Sequence, residues 1–307
     1  MKIALMPIYT LLFLIFLLGG LKAQENSHVY LLELSNNNLN ELELERSILL
    51  TAYNGDGAND YPLFLGPDKL MISSKENKAP KQYDLYELNL RNKNKTRVTQ
   101  TIEDEIQPAV VSQNRQFSAL RVEKDFDGAK RLWMFSFSRN NQGKAILPFI
   151  QDVNNYVWIN SNFVALQLQR DNGSLVIAKV KDESIEWIEK NVGDCLQQKN
   201  GSNNLYYLHK EYSDEWYIKE LLLDEYSSES NTGFQSKMIS PILRGVSFFE
   251  VLPNKDLICA KGSKLYIKKA DSYQDDWKEW IDLRALGIRQ IKRIEAGGNS
   301  RIAIVAN

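Results

Sequence analysis

The chain has 307 residues, of which 43% are hydrophobic, 25% charged and 10% aromatic, and its formal net charge is −1. That apolar share excludes a disordered chain, 16 Gly and 8 Pro exclude a collagen-like one, and near-neutral charge supplies no basic face for nucleic acid. Two Cys exclude a disulfide-rich scaffold or a Cys-rich zinc module, and with only His28 and His209 a three-histidine metal site is impossible within one chain.

The first element is not expected to belong to the fold. Lys2 opens the chain, an apolar run extends from Ile8 to Leu18, Gly19-Gly20 ends it, and Leu21-Lys22-Ala23 offers a small residue at a cleavage position. A basic start, a short apolar stretch and such an ending describe a secretory signal peptide over residues 1–23. The competing account is a membrane anchor, but Ile3 to Leu18 falls short of a full span and Pro7 interrupts it. No later run is apolar enough to span a bilayer, so the mature chain from Gln24 is expected to be soluble.

From there strand signals follow one another to the end. A strand-starting pattern reads His28-Val29-Tyr30, Asp84-Leu85-Tyr86, Arg131-Leu132-Trp133, Ser174-Leu175-Val176, Glu215-Trp216-Tyr217 and Lys264-Leu265-Tyr266. An apolar run precedes five of these, at Leu70 to Ile72, Phe117 to Val122, Phe163 to Leu168, Leu205 to Leu208 and Leu257 to Ala260. A sixth run, Ile302 to Val305, has nothing after it, and the first pattern, Val29 to Leu34, has nothing before it. The pattern returns about every 45 residues, the size of one four-stranded propeller blade. The two orphans complete each other. The expectation is an all-β, six-bladed β-propeller over residues 24–307, one blade of it closed by the N- and C-terminal strands together. The other blades fall near 59–101, 103–150, 151–191, 192–241 and 242–287. Turn clusters at Asn36-Asn37-Asn38, Asp127-Gly128, Asp171-Asn172-Gly173 and Asn200-Gly201 separate the strands. The stretch around Trp277, Trp280 and Ile281 should be an outer strand by the repeat, although its spacing also fits a short helix behind Asp275-Asp276.

Two blades carry a fuller motif. One reads Asp60-Tyr61-Pro62, Gly66-Pro67-Asp68-Lys69, Leu70 to Ser74 and Asp84-Leu85-Tyr86; the next reads Gln107-Pro108, Ser112-Gln113-Asn114-Arg115, Phe117 to Val122 and Arg131-Leu132-Trp133. In this the chain resembles the TolB-like six-bladed propellers, whose PD40 (WD40-like) repeats have an inner-strand Pro, a Ser-Pro-Asp-Gly-like turn and an Asp-aliphatic-Tyr strand. The last full blade keeps only Leu252-Pro253-Asn254-Lys255 and Lys264-Leu265-Tyr266. The strand signals begin at Val29, without the α/β domain that precedes the propeller in TolB.

No nucleophile elbow, P-loop or dinucleotide fingerprint is present. Gly297-Gly298-Asn299-Ser300 reads as a turn, His209 as a structural histidine at a strand end, and the acids around Asp56 as a loop that lacks the Glu a calcium loop requires. Cys195 and Cys259 are expected to be buried, unpaired thiols. The most informative set stands at the start of the inner strands: Asp60, Glu105, Asp152 and Asp194 in four blades, Arg244 and Arg289 in the other two. Carboxylates converging on one channel mouth suit a cation, a basic peptide or a sugar, and paired ones suit acid–base chemistry. The plainer account makes them turn caps or solvated acids. Two Arg in the ring argue against a metal site.

The function expected is an exported, non-catalytic scaffold, periplasmic or secreted. It would be monomeric, bind a protein or cell-envelope component through one face, and use no cofactor or metal. A carbohydrate- or lactone-processing enzyme using channel carboxylates is the alternative. A narrow channel beside an exposed aromatic face would favour the binder.

Overall fold

The computed structural model describes residues 26–36, 42–77, 82–111, 116–137, 142–198, 202–223, 234–270, 277–298 and 300–307. The signal-peptide stretch 1–23, Asn37-Asn38, residues 112–115, Asn200-Gly201, Asp275-Asp276 and Asn299 lie outside them.

Strands β1 (His28–Asn36) and β2 (Leu42–Leu49) open the described chain and pair with each other. Four-stranded antiparallel sheets then follow in sequence. The second blade is β3 (Ala58–Gly66), β4 (Lys69–Lys75), β5 (Tyr83–Asn89) and β6 (Lys95–Arg97). The third is β7 (Asp104–Val110), β8 (Gln116–Glu123), β9 (Ala129–Ser136) and β10 (Lys144–Ala145). The fourth is β11 (Val153–Trp158), β12 (Phe163–Leu168), β13 (Ser174–Lys179) and β14 (Ser184–Lys190). The fifth is β15 (Val192–Gln198), β16 (Leu205–Lys210), β17 (Trp216–Leu222) and β18 (Gln235–Pro241). The sixth is β19 (Phe249–Val251), β20 (Leu257–Lys261), β21 (Lys264–Lys268) and β22 (Lys278–Asp282). Last come β23 (Ile291–Gly297) and β24 (Arg301–Ala306), which join β1 and β2 in the order β2-β1-β24-β23. Val29 lies opposite Val305 and Leu31 opposite Ala303, so the first blade is split between the chain ends as expected. The stretch 278–282 is an outer strand, not a helix: it pairs with β21, with a register shift at Trp280, and Trp280 and Ile281 both pack against the seam between the sixth and first blades.

The apolar runs are continuous because the middle strands are buried on both faces. Successive side chains point to opposite sides of a strand, so each middle strand feeds two seams. Leu70 and Ile72 pack against Val29, Ala303 and Val305 of the first blade, whereas Met71 between them packs against Phe117 and Phe135 of the third. Ile302 and Ile304 pack the other way, against Ile258, Leu265 and Ile267 of the sixth blade. One apolar cluster fills each of the six seams. Cys195 and Cys259 are both buried and unpaired, in the seam between the fifth and sixth blades. Among the described residues no helix is long and apolar enough to cross a membrane.

Candidate functional site

The inner strands β3, β7, β11, β15, β19 and β23 surround the central channel. A cavity of about 190 Å³ opens among them, lined by Tyr61, Gln107, Asn155, Asp194, Phe248 and Arg293 near the strand starts and by Gln197 and Glu295 further in. The end at which the inner strands begin is the mouth face.

Backbone irregularity sets which side chains reach the channel. The ladder of β3 shifts between Asp60 and Leu63, and that of β7 between Ile106 and Ala109. Each bulge holds a residue in left-handed backbone followed by proline: Tyr61 (φ 49°) before Pro62 and Gln107 (φ 53°) before Pro108. Proline has no N–H to give to the ladder, so a bulge is where a strand tolerates it. Tyr61 and Gln107 are turned into the channel as a result. Gln107 Nε2 donates to Asn155 Oδ1 at 2.6 Å, and Asn155 Nδ2 donates to the Asp194 carbonyl. Tyr156 O–H donates to the Gln107 carbonyl at 2.9 Å. Arg293 Nε donates to Asp60 Oδ1 at 2.6 Å, and its guanidinium lies over the Tyr61 ring at 3.8 Å. Burial opposes the Arg293 charge, but Asp60 and Tyr61 outweigh it and raise its pKa.

Deeper, two carboxyls stand on neighbouring inner strands. Glu250 of β19 accepts from Gln197 Nε2 at 3.1 Å and from the Val251 N–H at 2.9 Å. Glu295 of β23 accepts from the Phe64 N–H. Withdrawal from bulk water pushes Glu295 up to about 8. Glu250 is pushed well above the usual carboxylate range, first by burial and then by Glu295. Burial pushes the Cys195 thiol up to about 12, which removes it as a nucleophile at neutral pH. Among the described residues no three His, Cys, Asp or Glu side chains gather as a metal would need.

The six residues singled out in the sequence are not brought together. On the second strands Ser74, Arg121 and Leu168 face Asn59, Glu105 and Val153. Those three are therefore the equivalent inner-strand positions. Asp60 lies one residue after that position and Asp152 one before it, so neither shares a side of its strand with Glu105. Asp60 is at the mouth, paired with Arg293. Asp194 lines the cavity, and its carboxylate has no partner among the described residues. Glu105 is fully buried away from the channel, 3.0 Å from Arg121, and burial pushes it up to about 7. Asp152 pairs with Arg170 at 2.6 Å and Arg244 with Asp214, both on exposed loops. Arg289 precedes β23, where its backbone N–H donates to the Asn307 carbonyl at 2.9 Å. His209 lies 3.0 Å from Glu189 and 3.2 Å from Glu211 on the side of the fifth blade.

The residues that line the channel but escaped the sequence reading are Tyr61, Gln107, Asn155, Phe248, Arg293 and Glu295, with Glu250 behind them. A signal existed for two of them: Tyr61 and Gln107 each precede the repeated proline.

Around the mouth lie exposed apolar side chains. Phe149 is 84% exposed, Ile102 73%, Tyr212 65% and Phe126 59%. All four sit on loops that lead into an inner strand or on turns from a second to a third strand, which places them on the mouth face. Tyr53 and Leu286, in the loops before β3 and β23, add to it. Ile102, Phe126 and Phe149 belong to neighbouring loops that are tied together. Lys124 Nζ donates to the Ile102 carbonyl at 2.6 Å, and Arg131 donates to the Pro148 carbonyl at 3.1 Å while lying 4.8 Å from the Phe126 ring centre. A larger groove of about 590 Å³, lined by Ile159, Phe163, Ile177, Leu223 and Phe234, lies outside the channel between the fourth and fifth blades.

The chain aligns over 92% of its length with 98% of a putative TolB from Agrobacterium tumefaciens, at TM-score 0.62 and 9% identity. The fold is that of the TolB-type six-bladed propellers. TolB from Acinetobacter baumannii superposes at TM-score 0.56 with 11% identity, over 86% of this chain and 68% of that one. A putative gluconolactonase superposes at 0.54 with 8% identity, over 81% of this chain and 88% of that one. Identities this low establish the TolB-type architecture, which hosts binders and enzymes alike. No family model matches the chain, and no curated protein matches it.

Proposed function

We propose that this chain is an exported, non-catalytic propeller that docks a protein or another cell-envelope component on its mouth face. The observation that carries the proposal is the cluster of exposed Ile102, Phe126 and Phe149 on tied loops beside the channel. Exposed apolar side chains on adjoining, tied loops supply an interaction surface. The channel supports the same reading: about 190 Å³ is below the roughly 300–1,000 Å³ of ordinary small-molecule pockets. Export rests on Lys2, the apolar run and Ala23 at the N-terminus.

Among the described residues the Glu250–Glu295 pair favours a carbohydrate- or lactone-processing enzyme, since two neighbouring carboxyls beside a channel suit acid–base chemistry. The cavity beside the pair leaves a sugar ring little room.

The test is affinity capture from the organism's own envelope extract, with wild type and an I102S/F126S/F149S variant run side by side and analysed by mass spectrometry. A component retained by wild type and lost by the folded variant supports the proposal. Equal retention by both, or turnover of a lactone or glycoside by the wild-type protein, contradicts it.

A further inference from the structure

The charges at the channel do not cancel. Asp60 is matched by Arg293 at 2.6 Å, and Arg293 lies flat over Tyr61. Asp194, on the opposite side of the mouth, has no partner for its carboxylate among the described residues. Further in are Glu295 on the cavity wall and Glu250 on the adjacent strand. Tyr61, Phe248 and Leu196 add apolar surface to the same cavity wall. The space would hold about six waters at ~30 Å³ each, or the end of one unbranched side chain.

We infer that the channel receives a cationic group of the docked protein, a lysine side chain or an amino terminus, which pairs with Asp194 at the rim and Glu295 below and displaces a proton from the Glu250–Glu295 pair. This rests on the docking reading and names the chemistry at its centre. An aliphatic stem suits the apolar surface of Tyr61 and Phe248, and an ammonium head suits the acids. An anionic group would meet the Asp194 carboxylate at the rim and could draw no proton-releasing ion pair from Glu295 below.

The groups around Glu295 leave it free to act this way. From β19 comes Glu250; from β3, Asp60 and Tyr61; from β15, Asp194 and Cys195; from β20, Cys259; and its own strand carries Arg293. Strands β7 and β11 contribute the uncharged Gln107 and Asn155. Burial raises Tyr61 and both thiols, which therefore stay neutral, and Arg293 is engaged by Asp60. At neutral pH Glu295 thus holds its proton until a cation arrives. The cation prefers ionised Glu295, so affinity rises with pH up to about 8, where Glu295 ionises unaided, and levels off above.

The experiment titrates the folded protein with n-butylammonium, a mimic of the lysine side chain, and with neutral n-butanol, following NMR chemical shifts at pH 6, 7, 8 and 9. The expected dissociation constant for butylammonium falls about tenfold from pH 6 to 7, as release of one proton requires, and flattens above 8. E295Q should bind with a flat pH profile, and D194N should bind roughly threefold more weakly at every pH with the slope retained. Should E295Q not fold, the wild-type slope and D194N decide. The inference is overturned if butanol binds as tightly as butylammonium, if the wild-type profile is flat, or if E295Q keeps the slope. Such a result beside a component captured through Ile102, Phe126 and Phe149 leaves the docking face standing; loss of that capture removes both.

Discussion

The two sides of the channel wall are built differently. On one side, β3 and β7 keep the repeat motif, and each uses a proline bulge to hold a polar side chain at the mouth. There the hydrogen bonding is closed: Asp60 is matched by Arg293, and Gln107 by Asn155. On the other side, β15, β19 and β23 lack the proline, β19 has only three residues, and the wall carries Asp194 and Glu295 with Glu250 behind it. The difference teaches that the motif marks the scaffold. Where it survives, the wall is saturated and fixed. Where it has eroded, ionisable groups have taken its place, and the chemistry lies there.

The hardest way to break this comparison is to remove the support of the acid-bearing strand. Deleting residues 301–307 takes away β24, the only strand that pairs with β23 among the described residues, together with the buried Ile302, Ile304 and Val305. At roughly 1.5–3 kcal/mol for each fully buried aliphatic side chain, the loss rivals a whole domain stability of about 5–15 kcal/mol. The truncated chain should show no cooperative thermal transition; an unchanged one would refute the split blade. Next in size is G173A. Gly173 has φ +101°, and a Cβ there would sit 1.9 Å from the Val192 carbonyl oxygen, where β15 begins. Strain and clash together should cost at least about 2 kcal/mol in denaturant unfolding.

How much of this was legible in the sequence follows from the same physics. The blades, the split closure and the outer strand at 278–282 could be read because apolar runs and turn residues recur at blade spacing. The site was only partly legible. A strand has period two, so a shift of one residue moves a side chain to the other face. Asp60, Glu105 and Asp152 look aligned by eye but fall at three successive register positions, and bulges such as Tyr61-Pro62 shift the register again. Glu250 stands between Phe249 and Val251, and Glu295 follows Lys292 and Arg293, so neither pattern tells an acid at the channel from a solvated one. The mouth-face cluster combines residues as far apart as Ile102 and Phe149, which only the blade geometry brings together.

Smaller effects sharpen the contrast between the two sides. Glu295 is raised from the ordinary 4.5 to about 8, so the folded state holds its proton longer than the unfolded chain. Wild-type stability should therefore fall as pH rises from about 4.5 to 8, by at most ~1.4 kcal/mol per pH unit for one proton. E295Q lacks this loss and should gain on wild type across that window in denaturant melts from pH 5 to 8.5. A constant difference between the two proteins would contradict the buried-acid account. Replacing the scaffold proline by P108A should cost under about 1 kcal/mol, through the freer unfolded chain, and the cost should not vary with pH. The same melts measure it, and a pH-dependent loss would erase the distinction between the two sides.

The central claim, that binding happens on the mouth face, is tested most directly by site-specific photocrosslinking. A benzophenone side chain is placed at Phe149 beside the channel in one protein and at Trp187, exposed on β14 at the outer edge of the fourth blade, in another. Both are irradiated in envelope extract. The account predicts a discrete crosslinked species from position 149 and none from 187. A crosslink from 187 alone, or the same species from both positions, would contradict it.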